Sequence, residues 1–64
     1  MFNGLTVGQM HNILVFFNQD FPGKQVRSIR VNDDYIVKIT YINDEGTLSS
    51  ADYKCKIEFT AQLI

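Results

Sequence analysis

The closing third of the chain constrains its fold most. From Tyr53 onward, Tyr53, Cys55, Ile57, Phe59, Ala61 and Leu63 alternate without error with Lys54, Lys56, Glu58, Thr60 and Gln62. Successive side chains of a strand point to opposite faces, so this pattern turns one face to a core and the other to water. On a helix the same residues would be spread around the whole circumference. The protein therefore contains a sheet with one apolar face, and something must cover that face.

The cover is read near the start. Thr6 is placed to cap a helix, and Gln9, at the third helical position, closes a capping box. Leu5 precedes the cap and can staple onto Met10, while Gly8 weakens the first turn. The helix is expected over 7–19, because "DFPG" then stops it: Phe21 precedes Pro22 and is pushed towards extended geometry, and Gly23 permits the turn. At about 100° per residue, Val7, Met10, Ile13, Leu14 and Phe17 fall on one stripe, the expected core face. Val15 lies off it. Phe16 falls beside Gln9, Asn12 and Asp20, with Ile13 as its apolar neighbour, and is expected to stand outside the core.

Two further strands lie between these landmarks. Residues 24–32 place Ile29 and Val31 on one side and Val26, Ser28 and Arg30 on the other. Asn32, Asp33 and Asp34 form a turn, since Asn and Asp tolerate left-handed backbone and bond their own main chain. In residues 35–42, Tyr35, Val37, Ile39 and Tyr41 share one face, and Ile36, Lys38, Thr40 and Ile42 the other. Asn43 to Gly46 make a hairpin loop, with glycine where positive φ is needed. Residues 47–52 read equally as strand, bulge or loop. The expected fold is α+β, a single domain over 1–64 in which one N-terminal helix packs on a three-stranded antiparallel sheet in the order α-β-β-β.

A 64-residue chain buries only about 60% of the surface its unfolded form exposes. Domains of this size usually lean on disulfides, a metal or a partner chain. Cys55 is the only cysteine and His11 the only histidine, so neither an internal disulfide nor a zinc site built on Cys and His can form. Association is the support that remains, and a homodimer is the expected state. The net charge is −1, so no overall field draws the chain to nucleic acid or anionic lipid. The apolar fraction of 45% suits a folded globule, and no apolar run is long enough to span a bilayer. "MFNGLTV" has neither a basic region nor a long apolar one, and with the lone thiol this makes the cytoplasm the expected location.

Catalytic readings are weak. Cys55 sits in an apolar strand row, where a thiol behaves as a small inert hydrophobe, and His11 lies at the edge of the helix stripe. The pairs Asp33–Asp34 and Asp44–Glu45 lie in turns, lack calcium-loop spacing and are expected to stay solvated. Neither a glycine-rich phosphate loop nor a GxSxG or HExxH motif is present. The expectation is a non-enzymatic protein without a cofactor.

What remains is surface. The sheet face away from the helix should present Arg30, Lys38, Lys54 and Lys56 against Glu58, beside Val26, Ile36 and Ile42. Such a face suits an acidic protein better than nucleic acid, because it lacks the aromatic rings on which single strands stack. Phe16, flanked by Ile13, is the second candidate contact. The reading is a small protein–protein interaction module, a regulator or inhibitor occupying a partner's surface. Weak nucleic-acid binding by the basic face is the alternative.

Overall fold

The computed structural model describes residues 5–32, 34–57 and 59–64. Helix α1 spans Val7–Asp20 and is followed by β1 (Gln25–Val31), β2 (Ile36–Ile42), β3 (Leu48–Ile57) and β4 (Thr60–Leu63). The strands form one antiparallel sheet in the order β1-β2-β3-β4. The α+β class and the single packed helix agree with the sequence. The strand count does not: the sheet has four strands, not three.

The helix begins as its local chemistry dictates. Gln9 N–H donates to Thr6 Oγ1 at 3.0 Å, and Thr6 N–H donates to Gln9 Oε1 at 2.9 Å. Two backbone donors that a helix start leaves orphaned are thereby satisfied. At the other end Phe21 N–H reaches Phe17 O at 2.8 Å, and Gly23 takes φ 76° to redirect the chain. The core face follows the stripe at Ile13 and Phe17, while Met10 and Leu14 pack partly buried against them. Val7 departs from it, 88% exposed. Helical Cα–Cβ bonds lean towards the N-terminus, so a first-turn side chain reaches past the helix start instead of down onto the sheet.

Val37, Ile39 and Tyr41 of β2 and Ala51 and Tyr53 of β3 complete the buried core. Phe17 is its hub, with ring centroids 5.3 Å from Phe21, 5.4 Å from Tyr41 and 6.2 Å from Tyr53. The tilted and edge-on geometries are those that aromatic quadrupoles prefer. The Tyr53 hydroxyl donates to Asp20 Oδ2 at 2.5 Å, tying the last residue of α1 to the middle of the sheet. Burial first, and then the Asp20 hydrogen bond and charge, hold that hydroxyl well above the ordinary phenol range.

The alternating segment that read as one strand is broken in two. β3 ends at Ile57 and the chain returns as β4, pairing Tyr53 with Leu63, Lys54 with Gln62 and Cys55 with Ala61. Each pair has like parity, so a period-two pattern runs through this turn as if it were absent. Ile57 and Phe59, expected in the core row, flank the turn at 63% and 75% exposed. Residues 48–52, left open by the sequence, are ordinary strand. Tyr35, expected in the β2 core row, lies instead in the β1–β2 turn with φ 61° and is 51% exposed.

Candidate functional site

The helix covers half of its sheet. Its backbone approaches β4 and β3, and side chains alone carry the core across to β2. β1 is therefore an edge strand with little above it, and six of its seven residues are exposed. Val31 alone of the strand is partly buried against the core.

A bulge re-aims this strand. Ser28 pairs with Thr40 and Val26 with Tyr41, leaving Arg27 as the extra residue. Directly opposed residues of antiparallel strands share a face, so Val26, expected beside Arg30, lies on the helix side with Tyr41. Val26 and Ile29 then form an apolar strip on that side, 41% and 37% exposed, where the helix does not reach.

On the opposite face the sheet brings charge together. Arg30 stands directly across from Lys38, and Lys38 across from Asp52. Lys54 lies on the next rung, between Ile36 and Gln62. Arg30, Lys38 and Asp52 line one shallow cleft with Val31, Asn32 and Ile36, of about 340 Å³. Like charges directly opposed on a sheet are destabilising. Among the described residues, Arg27, Arg30, Lys38 and Lys54 have no carboxylate within 4.0 Å, the single ion pair being Lys24 Nζ–Asp44 Oδ1 at 2.8 Å. Lys56, expected in this group, sits in the irregular pairing between Cys55 and Ile57, further along β3 from the cleft.

Tyr35 closes one end of the surface. Asn32 Oδ1 accepts from Asp34 N–H at 2.9 Å and Ile36 N–H at 3.0 Å, building the turn as its amide chemistry suggests. Yet the left-handed residue is Tyr35, not an Asn or Asp among the described residues. A bulky side chain in that region is an outlier, and such strain gathers at binding sites.

The other candidates lie elsewhere. Ile13 is fully buried, so it has no area to offer a partner, and Phe16 is half-buried against the core. Cys55 Sγ lies 3.0 Å from Ile57 O and 3.3 Å from Thr60 O, where its proton serves the β3–β4 turn. His11 borders an open apolar groove of about 380 Å³ with Leu5, Thr6, Val7, Met10 and Leu14. Among the described residues no group of three His, Cys, Asp or Glu side chains could hold a metal ion, and no helix is long and apolar enough to cross a membrane. Of the acidic pairs, Asp33 lies outside the described residues, while Asp34, Asp44 and Glu45 are exposed.

Sequence reasoning missed Arg27, Tyr35 and Asp52 as members of this surface. Only Asp52 carried a signal, since like parity places it with Lys54; the bulge and the strained turn had none. Comparison with protein-family models, curated proteins and solved structures gives no match.

Proposed function

We propose that this chain is a non-enzymatic protein-binding module that regulates or inhibits a partner by occupying its surface, and that the β1–β2 half of the sheet makes the contact. The observation that supports this reading is the uncovered edge strand itself. It combines an apolar strip, Val26 and Ile29, with Arg27, Arg30 and Lys38, cations without a carboxylate partner among the described residues. Tyr35 adds a large exposed ring at the adjoining turn, of the type that anchors interfaces. Weak nucleic-acid binding is supported by the same cations but disfavoured by the net charge of −1 and by Asp52 within the cleft. A homodimer through Phe16 has less support than the sequence suggested, because that ring and Ile13 turn inward. The test is affinity capture by the wild-type chain and by Arg27→Glu/Arg30→Glu, each checked for folding. The reading requires a protein retained by the first and lost by the second.

A further inference from the structure

Resting on that reading, we infer that β1 accepts an extended acidic segment of a partner protein as a fifth strand, one whose sequence alternates carboxylate and apolar side chains. The free edge supplies the main-chain contacts. Asn32 N–H donates to Ile36 O at 3.0 Å, and in an antiparallel ladder bonded and non-bonded pairs alternate. Stepping back from that pair, Arg30 and Ser28 turn their backbone groups towards β2. Ile29 and Val31 turn theirs outward, towards an added strand.

The side chains fix the partner's chemistry. Residues of the incoming strand opposite Ile29 and Val31 share their face, where the helix leaves Val26 and Ile29 uncovered, and are apolar. The residue opposite Arg30 lies on the far face, within reach of Arg30 and Lys38, and is Asp or Glu. The next on that face meets the Arg27 bulge and is acidic too. The segment Gln25–Val31 contains no acid, so nothing on β1 repels such a strand.

A second copy suits the edge poorly. Antiparallel pairing of β1 with itself would gather Arg27 and Arg30 of both chains at one seam, and like charges across strands oppose pairing. Cations and a bulge are also how sheets resist edge-to-edge aggregation. The same cations that exclude a basic edge select an acidic one.

The test uses the isotopically labelled full chain and two blocked eight-residue peptides, one alternating Glu with Val and the other Lys with Val. The Glu peptide is expected to slow amide exchange at Ile29 and Val31 while leaving the β4 edge unchanged. The Lys peptide should bind at least about tenfold more weakly, and Arg27→Glu/Arg30→Glu should reverse that preference. If the charge reversal unfolds the chain, Arg30→Gln makes the comparison, with a smaller loss of Glu-peptide affinity expected. Equal binding of the two peptides, binding without protection of Ile29 and Val31, or no binding overturns the inference, as does an oligothymidylate that displaces the Glu peptide from β1. If the peptide fails while β1 charge reversal still strips a captured protein, strand addition is wrong and the binding module stands. If neither depends on β1, both fall.

Discussion

Removing Asp20 should destabilise this protein more than removing the hydroxyl that binds it. Tyr53 is fully buried, and its O–H donates to a carboxylate on an exposed residue at the end of α1. In Tyr53→Phe the exposed carboxylate regains water, so the loss should be about 1 kcal/mol, the size of a typical net hydrogen bond. Asp20→Ala leaves a buried hydroxyl without its acceptor, at about 1–3 kcal/mol. Part of that returns, because a negative charge at a helix C-terminus is unfavourable by about 0.3–1 kcal/mol. The net expectation for Asp20→Ala is about 1–2 kcal/mol. The double variant should then be more stable than Asp20→Ala, since phenylalanine removes the orphaned group. Urea denaturation followed by circular dichroism measures all three. A pH dependence follows as well. The hydroxyl's folded pKa is raised above the unfolded value near 10, so its contribution is complete below about pH 10 and declines at higher pH. Tyr53→Phe should flatten that alkaline decline. If Asp20→Ala is neutral, or the double variant is the weakest of the set, the tether has been misread.

Thr6→Ala removes the Oγ1 that accepts from Gln9 N–H, though not the Thr6 N–H that donates to Gln9 Oε1, and should cost about 0.5–2 kcal/mol in thermal or urea unfolding. Tyr35→Gly relieves a left-handed residue whose ring is half exposed and should be neutral or stabilising by up to about 1 kcal/mol, whereas a loss beyond that would show that the ring packs. Cys55 should react with a thiol reagent slowly in the native protein and fast in denaturant, since its Sγ is engaged at the β3–β4 turn; equal rates would contradict that placement. Phe17→Asp should unfold the chain, because an unpaired charge at the centre of the aromatic cluster has no compensation. Phe16→Asp, at a half-buried site, should keep most of the helical signal.

What the sequence disclosed was what neighbouring residues decide among themselves. Thr6 and Gln9 cap the helix by contacts three residues apart, and the "DFPG" stop and Gly46 at φ 82° are single-residue requirements. Faces of β2 followed from alternation, because β2 itself runs without an extra residue from Ile36 to Ile42, the bulge opposite Thr40 and Tyr41 belonging to β1. The β3–β4 turn escaped because its partners have like parity and the connection has no Gly, Pro, Asn or Asp to mark it. The bulge at Arg27 is equally silent, and by shifting parity it moved Val26 to the other face. Most consequential is the sideways position of α1 over β3 and β4. The helix stripe names which residues go inward but not which strands they meet, so nothing in it revealed that β1 would be left uncovered.

If the β1–β2 half of the sheet, and not the helix, makes the proposed contact with a protein partner, charge reversal on β1 should abolish it. This is tested most directly by quantitative affinity capture with three folded chains side by side: wild type, Arg27→Glu/Arg30→Glu on β1, and Phe16→Asp on α1. The β1 variant is expected to lose the protein retained by wild type, and Phe16→Asp to keep it. Retention by the β1 variant together with loss by Phe16→Asp would contradict a β1 contact and place it on the helix.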